Sequence, residues 1–252
     1  MPTRWTLRLH SDPTPRYATP QQLHGLACAL FEGAGADHTG QSKSFTTSPL
    51  LAGGQPSARF AELCLGWLDD TRVPAVEALT GRNIRLGAQL LTVHDVRREA
   101  APYQALLAAP ADSNRIEMTF VTPTHFNRSD RYIPLPDPEL VYQSLLRRWN
   151  RFAPEPIAES LAEELISAVV LAEHDVASCS VDLGPGRRIG FTGRSVFTLL
   201  NRAGDQAHRI FTALSRFASV AGVGAQTTHG QGYVRITPAR TRTPGRGPVT
   251  HA

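Results

Sequence analysis

Apolar and polar residues alternate near the start of the chain, which is the pattern of a half-buried β-strand. Within residues 4–10, Trp5, Leu7 and Leu9 occupy every second position, with polar residues between them. From Pro20 onward the apolar residues recur at intervals of three and four, as they do along one face of a helix. A strand followed by a helix that begins at Pro20 is therefore predicted.

Four further segments complete the first half of the chain. Residues 45–51 and 58–67 predict an antiparallel strand pair, because both are apolar and a glycine-rich turn separates them. A short helix is predicted at 74–79 and more strand at 84–96. The order is β, α, β, β, α, β.

The same order recurs after an alanine- and proline-rich connector at residues 100–114. Period-two and helical patterns predict, in turn, strand 115–121, helices 139–152 and 158–170, strands 176–183 and 188–200, helix 205–220 and strand 233–237. Asp205 is predicted to cap the last of these helices. Arg, Thr, Pro and Gly dominate from residue 238, and this composition predicts a disordered tail.

Two successive βαββαβ units predict an α+β fold of two tandem ferredoxin-like, or RRM-like, domains. The connector places the boundaries at residues 1–112 for the N-terminal domain and 113–238 for the C-terminal domain. Residues 239–252 form the predicted tail.

Charge is distributed unevenly between the two halves. The chain has 26 basic and 22 acidic residues, but the part from residue 183 onward holds ten arginines and a single acid, Asp205. Clustered arginine attracts phosphate, so a polyanionic partner is predicted, with a solvated basic face as the alternative. Lys43 is the only lysine, which draws attention to its neighbourhood.

Several classes of protein fit the sequence poorly. No run of eighteen apolar residues is present and the first ten residues include Arg4, Arg8 and His10, so neither a membrane span nor a signal peptide is predicted, and a cytoplasmic location is expected. The three cysteines lie alone in their segments, which predicts reduced thiols. We expect no metal and no cofactor.

The most specific motif is the glycine-rich segment 222–232, between the last helix and the last strand. It is not a dinucleotide fingerprint, because Thr227 stands where that motif needs glycine and the strand and helix come in the reverse order. Such a segment can bring backbone N–H groups and short hydroxyls close to phosphate, although a connection that only packs is the alternative. The residues predicted to contact a phosphate chain are Gly222, Gly224, Gln226, Thr227, Thr228, His229, Gly230 and Gly232.

Four segments together carry a family resemblance: the glycine-rich segment followed by Tyr233-Val234, and residues 190–197, 118–126 and 45–50. With these segments the chain resembles the CRISPR-associated endoribonucleases of the RAMP superfamily, which process precursor CRISPR RNA. The resemblance implies tandem ferredoxin-like domains, binding of CRISPR repeat RNA and metal-independent cleavage that leaves a 2′,3′-cyclic phosphate. It makes the N-terminal domain the catalytic one and the C-terminal domain the RNA-binding one.

This cleavage needs a base for the ribose 2′-hydroxyl, an acid for the departing 5′-oxygen and positive charge beside the phosphorus. Within the resembling family the catalytic histidine lies shortly before a Lys-x-Phe-Thr-x-Ser-Pro stretch, and His38 followed by Lys43 matches that arrangement. His38 is the first candidate, with an idle surface imidazole as the alternative. His24 on the first helix is its rival, and Lys43 is the candidate point charge.

The predicted partners are precursor and mature CRISPR RNA. Arg187, Arg188 and Arg194 are predicted to bind it, and other effector subunits are further candidate partners of a monomer or homodimer. The alternative function is that of a RAMP-type subunit that holds a guide RNA in an effector complex without cutting it.

Overall fold

The structure, a computed structural model, describes residues 1–12, 15, 17–32, 43–52, 59–110, 114–129, 131–182 and 186–238. His38 and the predicted tail at 239–252 lie outside the described residues. None of the described helices is both long and apolar enough to cross a membrane.

The first sheet is built on the alternating strand at the start of the chain. Trp5, Leu7 and Leu9 are fully buried on its inner face. This strand lies at the centre of the sheet, antiparallel to a neighbour on either side. The elements of this domain are β1 Thr3–His10, α1 Pro20–Phe31, β2 Phe45–Thr47, β3 Leu51–Ala52, β4 Phe60–Trp67, a 3₁₀ helix Val76–Leu79, β5 Asn83–Leu86 and β6 Gln89–Ala100. The strand order is β2-β4-β1-β6-β5, with β3 paired to β4.

The second sheet repeats the connectivity of the first. Its strands lie in the order β10 (Val169–Asp182), β11 (Arg187–Leu199), β7 (Arg115–Thr124) and β12 (Val234–Pro238). Its first strand in the chain, β7, lies between the third and the fourth, which is the ferredoxin-like arrangement found also at β2-β4-β1-β6. The predicted fold of two tandem ferredoxin-like domains is confirmed. The remaining elements are α2 Tyr103–Ala108, β7 Arg115–Thr124, β8 Phe126–Arg128, β9 Arg131–Ile133, α3 Pro138–Phe152, α4 Glu159–Ala168, β10 Val169–Asp182, β11 Arg187–Leu199, α5 Asp205–Ala221, a 3₁₀ helix Thr227–His229 and β12 Val234–Pro238.

Several predicted elements are corrected. The short helix expected at 74–79 is a 3₁₀ helix of four residues, and the expected N-cap Asp205 is the first helical residue, because Gly204 occupies the cap. The strand expected at 176–183 begins at Val169, directly after α4.

The predicted connector contains helix α2. The Tyr103 hydroxyl donates a hydrogen bond of 2.8 Å to the Leu68 carbonyl, and the Tyr103 ring packs edge-on against Trp149 in the core of the second domain. Helix α2, which precedes residue 112, thus packs with residues of the second domain. The domain boundary at residue 112 stays a prediction.

The two domains meet where β2 and β4 face the end of α5. Thr46 donates a hydrogen bond of 2.6 Å from its hydroxyl to the carbonyl of Val220. Gly66 on β4 lies against the same carbonyl, so closely that a Cβ atom would overlap it. The glycine-rich segment that follows α5 is therefore held against the first domain.

Candidate active site

His24 on α1 lies face to face with His229 of the glycine-rich segment. The two imidazole rings are stacked, with centroids 4.0 Å apart and planes 7° from parallel. Nδ1 of His24 lies 3.2 Å from the carbonyl oxygen of Thr228. Because a carbonyl can only accept, this contact assigns the proton to Nδ1 and leaves Nε2 as the basic nitrogen. A predicted catalytic residue of one domain and a predicted RNA contact of the other thus form one unit.

Three side chains at intervals of four residues continue this unit along α1. His24, Cys28 and Glu32 lie on the same helix face, because residues four apart are neighbours there. The Cys28 sulfur is 3.5 Å from Nε2 of His24. Burial, reinforced by the charge of Glu32, raises the pKa of the Cys28 thiol to about 11, so it stays protonated at neutral pH.

Lys43 completes the set from the other side of the segment that contains His38. Its Nζ atom lies 2.6 Å from Oε1 of Glu32, and the two side chains are only 10% and 14% exposed. Glu32 and Lys43 flank residues 33–42 in the sequence, and they contact each other. Lys43 therefore lies at the C-terminal end of α1, and His24, the other described catalytic candidate, lies two turns earlier on the same helix.

The glycines of the segment serve its packing. Gly222, Gly224, Gly230 and Gly232 all have positive φ and are buried. A Cβ atom at Gly224 would lie 2.5 Å from the carbonyl oxygen of His125. These surroundings explain why glycine is needed at these positions.

Backbone donors in the first part of the segment are already bonded within the protein. The N–H of Val223 donates to Gly232, and that of Ala225 donates to His125, each at 2.9 Å. The N–H of Gly224 donates to the Ser144 hydroxyl at 3.3 Å. Direct phosphate contact by Gly222, Gly224 and Gly232 stays a prediction, and the packing alternative accounts for their positions.

The side chain of Arg148, on α3, is bonded to the backbone of the glycine-rich segment. Its guanidinium donates to the carbonyl oxygens of Ala221, Gly222 and Gly224 at 2.7, 2.8 and 2.6 Å. Burial lowers the pKa of Arg148 to about 10, which still leaves it charged at neutral pH. A cation at the C-terminal end of α5 also interacts favourably with the helix dipole.

Solvent reaches four residues in the middle of the segment, namely Ala225, Gln226, Thr228 and His229. Gln226 is exposed and has a φ of 59°, which is rare for a residue other than glycine, while Thr227 is buried. Thr228 and His229 are half-buried. His229 and Gly230 line a cleft of about 650 Å³, together with Pro20 at the start of α1 and Ser180 near the end of β10.

The three predicted RNA-binding arginines differ in their surroundings. Arg187 is exposed at the start of β11 and Arg188 covers the ring of Tyr132, 4.5 Å from its centroid. Arg194 instead lies between Glu117 and Glu173, at 2.7 and 3.2 Å, and the hydrogen bonds that it donates to these carboxylates raise its pKa. RNA contact by all three stays a prediction, with the charge of Arg194 already balanced.

Sequence reasoning missed several residues of this arrangement. Cys28 and Glu32 had a readable signal, the four-residue spacing from His24. Arg148 and the carbonyl of Thr228 had none, because their contacts join segments more than seventy residues apart. Within the described residues, no three His, Cys, Asp or Glu side chains are grouped as metal ligands would be.

Comparison with known proteins supports the resemblance inferred from sequence. Residues 118–234 match the family model of the CRISPR-associated endoribonuclease Cas6. A Cas6 endoribonuclease of Mycobacterium tuberculosis is 31% identical over 144 residues, which cover 56% of this chain and 44% of that protein. The chain thus matches less than half the length of the curated relatives.

Solved structures match over both domains. A Cas6 product complex superposes with a TM-score of 0.80 at 28% identity, covering 94% of this chain and all of the other. A Thermus thermophilus Cas6 structure gives a TM-score of 0.71 at 27% identity, covering 94% and 98%. The predicted resemblance to the CRISPR-associated endoribonucleases is confirmed.

Proposed function

We propose that this chain, which resembles the Cas6 endoribonucleases throughout both domains, cuts CRISPR precursor RNA within its repeat. The observation that carries the proposal is the stack of His24 on His229 where the two domains meet, with Cys28 and the Glu32–Lys43 ion pair following along α1. His229 also lines the cleft of about 650 Å³. Titratable groups gathered in such a place are typical of active sites.

The proposed reaction is an internal transfer at phosphorus. A base takes the proton of the ribose 2′-hydroxyl, and the 2′-oxygen bonds to the adjacent phosphorus. The bond from phosphorus to the 5′-oxygen breaks, and an acid gives that oxygen a proton. The products are a 2′,3′-cyclic phosphate and a free 5′-hydroxyl, and no water is consumed.

Imidazoles suit both proton transfers near neutral pH. His38 and His24 are the proposed pair, with Nε2 of His24 as its reactive nitrogen because Nδ1 is bonded to Thr228. The neutral thiol of Cys28, at 3.5 Å, is a weak partner for that nitrogen, and RNA can replace it.

Lys43 is proposed to stabilise the charge that develops on the phosphate oxygens. Its ion pair with Glu32 keeps the ammonium group beside α1. The lysine therefore contacts a phosphate either while it stays bonded to Glu32 or after it leaves that carboxylate. The accessible residues Gln226, Thr228 and His229, with Arg187 and Arg188, are proposed to hold the RNA backbone. Precursor RNA is transcribed in the cytoplasm, where we place the protein.

The test is cleavage of the repeat RNA from the protein's own genome, in the presence of EDTA, followed by mapping of the product ends. We expect one cut, a 2′,3′-cyclic phosphate and a 5′-hydroxyl. A matched RNA with 2′-deoxyribose at the scissile nucleotide should bind equally and remain whole, because the nucleophile is missing. Cleavage of the deoxy substrate would contradict the mechanism, and tight binding without any cleavage would favour the alternative of a guide-RNA-holding subunit.

A further inference from the structure

We infer that the second domain supplies part of the reaction centre: the carbonyl of Thr228 and the ring of His229 are positioning groups that orient His24. This inference rests on the proposed function, since it assigns His24 a part in the cleavage. It makes the glycine-rich segment a working component of catalysis as well as an RNA-binding surface.

Two contacts fix the His24 ring in different directions. The carbonyl of Thr228, 3.2 Å from Nδ1, fixes the direction of that nitrogen within the ring plane and selects the tautomer with an unprotonated Nε2. The stacked ring of His229, 7° from parallel, fixes the tilt of that plane. Together they leave one nitrogen, in one direction, available to a bound RNA.

His229 is itself held in place. Its Nδ1 lies 3.0 Å from the hydroxyl of Thr228, one residue earlier. The 3₁₀ helix that carries both residues is bounded by left-handed residues, Gln226 and Gly230. Gly230 lies against Leu23 of α1, where a Cβ atom would be 2.9 Å from the leucine Cδ1 atom. The positioning groups are thus seated on the helix that carries His24.

Electrostatics agree with this geometry. Burial and the neighbouring His24 lower the pKa of His229 to about 4, so His229 is neutral when the enzyme works near neutral pH. Among the described residues, the protonated thiol of Cys28 contacts His24, and the Glu32–Lys43 ion pair lies further along α1. The neutral ring of His229 therefore places no positive charge against His24.

A double-mutant cycle tests the inference. Four proteins are compared: the parent, His24→Ala, His229→Ala and the double variant. Single-turnover cleavage with enzyme in excess reports the chemical step, and filter binding of the uncleavable 2′-deoxy RNA reports affinity. His94→Ala, at an exposed position on β6, is the control for loss of an imidazole.

We expect His229→Ala to slow cleavage by about ten- to a hundredfold while affinity stays within about twofold, because small misplacement of a catalytic group costs that much. His229→Phe should restore most of the rate, since it keeps a stacked ring that cannot bond RNA or ionise. Once His24 is alanine, removing His229 should slow cleavage no further.

The inference is overturned if His229→Ala has the same effect with and without His24, or if it weakens affinity and leaves the rate unchanged, which would make His229 an RNA contact. It is also overturned if His24→Ala cleaves like the parent, an outcome that removes His24 from the catalytic pair and leaves cleavage of repeat RNA as the proposed function. A parent that binds repeat RNA without cutting it would instead refute the proposed function. In that case nitrogen NMR of the imidazoles still decides the positioning: His24 should be protonated at Nδ1 in the parent and lose this preference in His229→Ala, and a proton on Nε2 in the parent would refute it.

Discussion

Glu32 and Lys43 form an ion pair that is nearly closed to solvent, with Oε1 and Nζ 2.6 Å apart. Removing one partner of such a pair leaves a buried charge without compensation. If Lys43 acts in catalysis and also stabilises the fold, replacing it lowers both the cleavage rate and the free energy of unfolding. The two effects can be separated, because stability depends on the ion pair, whereas the cleavage rate depends on the lysine.

Lys43→Ala should lower the free energy of unfolding by about 3 kcal/mol and slow cleavage. Adding Glu32→Gln should recover most of the stability, because the unpaired carboxylate is gone, while cleavage stays slow. Urea unfolding and single-turnover cleavage measure the two effects. If the double variant cuts RNA at the parent rate, Lys43 has only the structural task.

His38→Ala should abolish most cleavage and spare RNA binding. A positioned acid or base contributes roughly a hundred- to ten-thousandfold in rate and little to ground-state affinity. Initial cleavage rates and filter binding of the same RNA provide the comparison, with His94→Ala as the matched control. A His38→Ala protein that cuts normally would move the assignment to His24.

The fold was predictable where the hydrophobic residues follow a clear strand or helix period. The alternation of Trp5, Leu7 and Leu9 predicts a strand with one buried face, and all three are fully buried. Helix α2 was missed because its six residues lie in an alanine- and proline-rich stretch and depend on tertiary contacts, such as that of Tyr103 with Leu68.

The site was less predictable, because its contacts cross between segments far apart in the chain. The glycine pattern at 222–232 indicated the segment that contacts His24, but the same glycines fit a phosphate-binding loop and a packed loop equally well. The positive φ and the close neighbours of Gly224 show that packing requires glycine there, and RNA contact stays a prediction. The pairing of Arg194 with Glu117 and Glu173 depends on strand register, which composition does not contain.

Neutralising Arg187 and Arg188 together should weaken RNA binding and flatten its dependence on salt. Each lost phosphate contact reduces the slope of log affinity against log salt by roughly 0.7 for single-stranded RNA. Arg194→Ala should change the slope less, because two carboxylates already balance this arginine. Affinities measured by filter binding over a series of salt concentrations give the slopes.

The control for these arginines removes the same charge elsewhere. Arg82, just before β5, and Arg85, on β5, are exposed on the first domain. Replacing both by alanine lowers the net charge as much as replacing Arg187 and Arg188 does. Equal slopes for the two double variants would show that only total charge matters. The surface around Arg188 and Tyr132 would then be a solvated basic face.

Folding stability should fall as the pH is lowered from about 6.5 to about 4, and His229 should carry part of this fall. The pKa of His229 is lowered to about 4 by burial and by His24, whereas in the unfolded chain it returns to its ordinary value near 6.5. Between these values the unfolded chain binds a proton that the folded protein does not, so acid favours unfolding. His125, whose pKa is also lowered by burial, acts in the same direction and keeps some pH dependence in every variant.

Urea unfolding at pH 7.5, 6 and 5 should therefore show a smaller loss of stability for His229→Phe than for the parent, and an unchanged loss for His94→Phe. Equal losses in the parent and in His229→Phe would mean that His229 is protonated as easily in the folded protein as in the unfolded chain, and that its ring is not held in the buried stack with His24.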